Sequence, residues 1–280
     1  MEAHKDNPDL LYKSIILALR SDDELEAKKQ FTQIKTVLLL DDMDDQKKIE
    51  IGELAYWLDD YDYSLNVLNS VKSGDHISQA KLIMGQVLMK QEAYERAVIL
   101  FRQAQNGAQE HAVLAYLLEA DAHRELDEAK QGIRSLTQAL SQFPNHSDIL
   151  YSRAMLYESV KKLNDMEKDL QIIIANDTSH YDALNALGYS WADRNIKLDE
   201  ALTLIEKAHE LAPKNIAILD SLGWVNYRLG NFDQARHYLE LATEDTVADK
   251  LMLEHLLEVL ETIGDEAAAQ VVKQQLSEMI

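Results

Sequence analysis

The sequence predicts an all-α chain built from repeated antiparallel helix pairs, on three observations. Helix-forming Leu, Ala, Glu, Lys and Gln dominate the 280 residues. Three prolines and nine glycines leave little material for the turns of an all-β fold. The chain also resembles itself at a step of about 34 residues, the mark of a repeat architecture. The step shows first in a Leu-Gly pair, Leu222-Gly223 in "DSLGWVNYRLGNFDQA" and Leu187-Gly188 in "NALGYSWADRNIKLDEA", each followed by an aromatic residue and, later, by an Ala. A glycine inside a helix costs about 1 kcal/mol against alanine, so its return in phase calls for a physical reason.

With the Leu-Gly pair at positions 7 and 8, the units follow in order. Residues 8–44 form a degenerate first unit of 37 residues, with Ile15 at position 8, Ala27 at 20, Phe31 at 24 and Ile34 at 27. Residues 45–77 and 78–112 fit with one residue missing and one to spare. Residues 113–146 and 147–180 fit without a gap. Residues 181–215 carry one extra residue near Asn195–Lys197, and 216–249 is regular. Residues 250–280 form a cap-like last unit with Leu257 at position 8, Gly264 at 15 and Ala269 at 20. End units are expected to be atypical, because one side of each faces water.

In the six inner units position 8 reads Gly52, Gly85, Ala120, Ala154, Gly188, Gly223, and position 20 reads Ser64, Ala97, Gly132, Met166, Ala201, Ala235. Eleven of these twelve are Gly, Ala or Ser. Position 24 is bulky throughout: Leu68, Phe101, Leu136, Leu170, Ile205, Leu239. Each unit therefore reads as helix A over positions 1–14 and helix B over 15–28, crossing where positions 8 and 20 are both small. Met166 breaks the rule, and a local splay or a shifted partner is expected there. Gly230-Asn231 and Asp59–Asp62 fall where helix A must stop, and Pro144 and Pro213 fall after helix B.

"GWVNYRLGNFDQA" and "GQVLMKQEAYERAVILFRQA" resemble tetratricopeptide (TPR) repeats, whose pattern is small at 8 and 20, aromatic near 11, 17 and 24, Ala at 27 and Pro at 32. The resemblance covers residues 45–249 best and implies a single right-handed α-solenoid of about eight repeats over 1–280. The C-terminal half, with "LYSRAMLYE", "ALNALGYSWADR" and "LDEALTLIEKAHELAPKN", is also similar to the end of TPR-rich proteobacterial outer-membrane lipoproteins. One such family includes an adaptor that brings substrates to a carboxyl-terminal processing protease. Those proteins are longer and begin with a lipobox cysteine, and this sequence has no cysteine. A fragment of such a protein would belong to the bacterial periplasm, on the inner face of the outer membrane. Otherwise a cytoplasmic location is expected, since "MEAHKDNPDL" lacks the layout of a signal peptide.

A net charge of −21 and the lack of a basic stripe argue against nucleic acid as a partner. No run of 18 apolar residues is present to span a bilayer. Phosphate-binding, nucleophile-elbow and zinc-helix motifs are absent, so no enzyme and no cofactor are expected. "EADAHRE", Glu119–Glu125, reads as a solvated helix surface around His123. "DDMDD", Asp41–Asp45, reads as a helix-capping run. As a calcium loop counted from Asp42 it would place Lys47 where a glycine is needed.

The resemblance implies that positions 2, 5, 9, 12 and 13 of the A helices face a concave groove. Its expected partner-binding residues are Tyr151, Glu158, Asp182, Tyr189, Asp193, Asp220, Trp224 and Tyr227. The aromatic members are expected to project where no core requires them, among carboxylates. Such a surface suits a protein or peptide carrying basic and apolar residues. The Lys-Asn-Arg clamp of chaperone-tail-binding repeats is missing at positions 5 and 6. The rival reading is a structural subunit that forms homo-oligomers through its terminal repeats.

Overall fold

The computed structural model describes residues 7–244 and 249–279, apart from the side chain of residue 75. Sixteen α-helices and one 3₁₀ turn account for the regular structure of those residues, with no strand among them. The chain divides into two compact units at Ser152/Arg153. The first holds α1 (Pro8–Arg20), α2 (Glu24–Val37), α3 (Asp45–Trp57), α4 (Tyr61–Asn69), α5 (Gly74–Lys90), α6 (Tyr94–Ala104), α7 (Gln109–Glu125) and α8 (Ala129–Gln142). Helix α9 (Ser147–Ser159) carries the division. The second unit continues with α10 (Leu163–Asn176), α11 (Tyr181–Asp193), α12 (Leu198–Leu211), α13 (Ile216–Leu229), α14 (Phe232–Thr243), α15 (Lys250–Ile263) and α16 (Glu266–Glu278).

Within each unit the helices pack as successive pairs. Helix α5 lies against α6, its own partner, and against α3 and α7, the first helices of the neighbouring pairs; α13 lies in the same way against α14, α11 and α15. The reason for the recurring glycines is visible at each crossing. A methyl group on Gly52, Gly85, Gly188 or Gly223 would overlap Leu68, Phe101, Ile205 or Leu239, the bulky residue at position 24. At Gly188 and Gly223 it would also approach the carbonyl oxygens of Ala201 and Ala235, at 2.9 and 3.1 Å. The large side chain of helix B thus lies on the bare backbone of helix A. Leu68, Phe101, Ile205 and Leu239 are all fully buried. The exceptional Met166 is buried too, and one turn later Asp169 accepts two hydrogen bonds from the Arg153 guanidinium of α9, at 2.8 and 2.7 Å.

The turn between helices A and B differs from the expected boundary at positions 14 and 15. The second helix of each pair begins at position 17, because a turn of two to four residues comes first. One residue of that turn, position 15, is left-handed in every case: Asp22, Asp59, Glu92, Asp127, Lys161, Asn195, Gly230 and Gly264. The next N–H donates to the carbonyl five residues back, from Asp23 to Ala18 through Asp265 to Leu260, at 2.8–3.0 Å. The N–H of position 15 donates to the carbonyl three back, as from Glu92 to Met89 at 3.0 Å. These two bonds are a Schellman closure, which satisfies helix-end carbonyls that otherwise lack donors.

The acidic run at Asp41–Asp45 serves the next helix. The Asp44 carboxylate accepts from the Lys47 N–H at 2.8 Å, capping α3. Asp45 accepts from the N–H groups of Lys72 and Ser73 and from the Ser73 hydroxyl, which holds its pKa down at about 2. The reading of Glu119–Glu125 as a solvated surface is corrected. Glu119 and His123 are buried. Glu119 accepts from Arg102 (2.7 Å), Gln105 and Ser135 (2.6 Å), while His123 Nδ1 lies 2.8 Å from Glu128. The face of α7 that carries them packs against α6 and α8, so the network closes polar groups that the stack removes from water.

Two outcomes follow from this packing. Replacing Gly223 with Ala is expected to destabilise the protein by about 1–3 kcal/mol, because overpacking at Leu239 outweighs the gain in helix propensity. Thermal unfolding of the single variant and of the same change in a Leu239→Ala background will show the cost shrinking in the double variant. Replacing Glu92 with Gly relieves a left-handed side-chain residue and is expected to stabilise by about 0.5–1 kcal/mol, read as a higher urea midpoint.

Candidate functional site

The first helices of the pairs in the second unit carry most of the residues that the sequence marks for binding. Helix α9 supplies Glu158, α11 supplies Asp182, Tyr189 and Asp193, and α13 supplies Asp220, Trp224 and Tyr227. Tyr151 lies on the part of α9 that belongs to the first unit, where it is half-buried.

Tyr189 is the centre of this surface. Its ring is half-buried, 6.1 Å from the imidazole of His255 on α15. Burial pushes its hydroxyl well above the ordinary phenol pKa, and the carboxylates of Asp193, Asp220 and Glu158 push it further, in that order. Arg228 alone opposes them. Glu158 is half-buried, and its carboxyl is raised by burial first, eased by Lys161 and raised again by Asp193. Asp193 itself is exposed, and its backbone carbonyl accepts from the Arg228 guanidinium at 2.7 Å. Asp182 is half-buried in the first turn of α11.

Two expected groove residues are not open to a partner. Asp220 and Trp224 are each only 5% exposed, and both are taken up by His255, itself 4% exposed. His255 Nδ1 lies 2.9 and 3.0 Å from the two Asp220 carboxylate oxygens. The imidazole stacks on the Trp224 indole at 4.1 Å and 19°. Tyr227 stacks on the same indole at 5.3 Å, with the Arg228 guanidinium 4.7 Å from its centre. Tyr227 is half-buried and donates its hydroxyl to Glu258 of α15 at 3.0 Å. The expectation that these aromatics project free of packing is therefore corrected for Trp224, with the carboxylate of Asp220 buried beside it. They fasten α13 to α15.

His255 is the residue that sequence reading missed. Its signal was a lone histidine in the apolar run "LMLEHLLEVL", 35 residues after Asp220 and so one repeat along. The open surface that remains consists of Tyr189, Glu158 and Asp193, with Asp182 and the edge of Tyr227. Among the described residues no three His, Asp or Glu side chains are arranged to hold a metal ion, and no helix is long and apolar enough to cross a membrane.

No protein-family model matches the chain. It is 36% identical over 200 residues to the TPR repeat-containing protein PA4667 of Pseudomonas aeruginosa, a match that covers 71% of this chain. Its fold is that of a tetratricopeptide repeat protein from Parabacteroides merdae (TM-score 0.60, 16% identity, 72% of this chain and 79% of that one). It is also that of PilW, a type IV pilus biogenesis factor (TM-score 0.61, 18% identity, 73% and 94%). The chain is a TPR repeat protein. The match spans about a third of the length of PA4667, 34%. Within the TPR stack, the His255–Asp220–Trp224 cluster joins two successive pairs through their first helices.

Removing one member of that cluster leaves a buried charge or ring without its partner. His255→Ala is expected to cost about 3 kcal/mol, with amide exchange accelerating first in α15 and α16 rather than in α11 and α12.

Proposed function

We propose that this TPR protein is a non-catalytic scaffold or adaptor that holds a partner through a peptide segment in which Lys or Arg stands beside apolar residues. The docking surface is the face of the second unit centred on Tyr189. One observation carries the reading: a half-buried phenol stands among the carboxylates of Glu158 and Asp193, with the Asp220 carboxylate beneath. Arg228, the cation that acts on Tyr189, already engages the Trp224 ring and the Asp193 carbonyl. Partly desolvated carboxylates beside an aromatic face attract an ammonium or guanidinium, because the incoming charge restores what burial removed. Asp182 and the Tyr227 ring extend the surface along the A helices. Trp224 and Asp220 act beneath it by fixing the helices that carry it.

The likeness of the C-terminal half to envelope lipoproteins supports a finer version, in which the partner belongs to a bacterial envelope complex or is a processing protease. Recovery of a protease with the tagged chain from an envelope fraction would support that version, and its absence would remove it. A second reading, self-assembly through the terminal pairs, draws on Leu17 and Leu25 of the first pair and Val271 of the last, all exposed. A mass by light scattering that stays monomeric across concentrations would remove it.

The full chain, panned against displayed random peptides, is expected to enrich sequences with Lys or Arg next to Leu, Ile or Phe. Asp193→Lys and Tyr189→Ala should each weaken the enriched peptide at least tenfold. Affinity should also fall as pH drops, since the raised Glu158 takes up its proton at a higher pH than an ordinary carboxylate and loses its attraction for the cation. Enrichment of acidic peptides, or unchanged binding by both variants, would refute the reading.

A further inference from the structure

We propose that Asn106-Gly107, in the turn between α6 and α7, is a site of spontaneous covalent modification, where the asparagine amide becomes a carboxylate. The first unit thereby acquires a new negative charge with time. The chemistry asks for an uncrowded nitrogen on the next residue, an unengaged side-chain amide, and water. Of the twelve asparagines in the chain only Asn106 precedes a glycine. In the others the next residue carries a Cβ, which crowds the attacking nitrogen. Asn106 is exposed, and among the described residues its amide has no hydrogen-bond partner. Its neighbour Gln105 is held, donating to Glu119. The pair also lies outside the helical ladders, since α6 ends at Ala104 and α7 begins at Gln109.

Packing explains why glycine stands at 107. A methyl group there would come 2.6 Å from Cβ and 2.9 Å from Oγ of Ser78, a buried residue of α5. The stack thus demands the residue that exposes Asn106 to attack. The Gly107 nitrogen adds to Asn106 Cγ. The N–Cγ bond forms, the Cγ–Nδ2 bond breaks, and ammonia leaves with the proton that the Gly107 nitrogen gives up. Water then opens the five-membered imide. Addition at Cγ gives aspartate with the main chain unchanged. Addition at the main-chain carbonyl carbon gives isoaspartate, whose main chain runs through Cβ and Cγ. Nothing is oxidised or reduced, and water is the one co-reactant. One bond restrains the first step: the Gly107 N–H donates to the Ala104 carbonyl at 3.1 Å and must let go before its nitrogen attacks.

The two products act differently on the stack. Helix α7 starts after Ala108, which has no side chain to cap it. Helices α1, α3, α13 and α15 are capped by Asn7, Asp44, Asn215 and Asp249. A carboxylate at 106, two residues before Ala108, stands close to that uncapped end, where negative charge is favourable. The aspartate form is therefore tolerated. Isoaspartate instead lengthens the main chain by one carbon immediately before Gly107 and displaces it from Ser78. That form loosens the joint between α6 and α7.

The test ages the full chain in mildly alkaline buffer, with and without urea, and follows it by tryptic mass spectrometry. Cleavage after Arg102 and Arg124 isolates Asn106 as the only asparagine of its peptide. That peptide is expected to convert before any other asparagine, into two separable products of equal mass. Conversion should be faster in urea, where the bond to Ala104 is lost. Asn106→Gln should stop it, because the ring to be closed then has six members. Asn106→Asp should unfold at an unchanged or higher temperature. In the isoaspartate fraction, separated from the native protein by ion exchange, amide exchange should quicken in the first turn of α7 and not in α13. Earlier conversion at another asparagine would overturn the proposal, as would undiminished conversion of this peptide in Asn106→Gln. A lower unfolding temperature for Asn106→Asp would overturn the tolerance assigned to the uncapped helix end.

Discussion

The whole arrangement rests on one contact made again and again: a bulky side chain of the second helix lying directly on the backbone of the first. Leu68, Phe101, Ile205 and Leu239 fill the space that a Cβ at Gly52, Gly85, Gly188 or Gly223 would need. The glycine gives up about 1 kcal/mol of helix propensity, and the buried leucine or phenylalanine returns about 1.5–3 kcal/mol of transfer free energy. Because the crossing is fixed at one point, the remaining faces of the first helices point in a consistent direction through each unit. The surface around Tyr189 is a by-product of that regularity.

Most of this was legible in the sequence, because spacing and residue volume are properties of the sequence. The small columns at positions 8 and 20 and the bulky column at 24 gave the helix pairs. Asp59–Asp62 and Gly230 marked where first helices stop. What spacing does not encode is which polar side chains meet. Asp220 and His255 sit in different repeats, and nothing local to either shows that they pair. Glu119 and His123 look like an exposed charged face until Arg102, Gln105 and Ser135 arrive from neighbouring helices. The helix boundary at position 15 was misjudged for a related reason. Asp, Glu, Lys and Asn in a left-handed turn leave weaker marks than glycine.

The candidate surface follows the same division. Tyr189, Glu158 and Asp193 were found by position and remain accessible, whereas Trp224 and Asp220 were found by position and turn out to be engaged from the next repeat. Their burial makes them supports for the accessible residues. Trp224 carries the Arg228 guanidinium on its face, 4.7 Å from the ring centre.

The turn at position 15 has a mechanical consequence. Gly230 and Gly264 close the last two hairpins without steric strain, while six earlier turns force a residue with a Cβ into the left-handed region. Four of those six are Asp or Asn, which enter that region readily, so the cost of about 1–2 kcal/mol falls on Glu92 and Lys161. The backbone tension of these hairpins is thus concentrated at two turns, one in each compact unit, and the glycine-closed turns at the C-terminal end carry none.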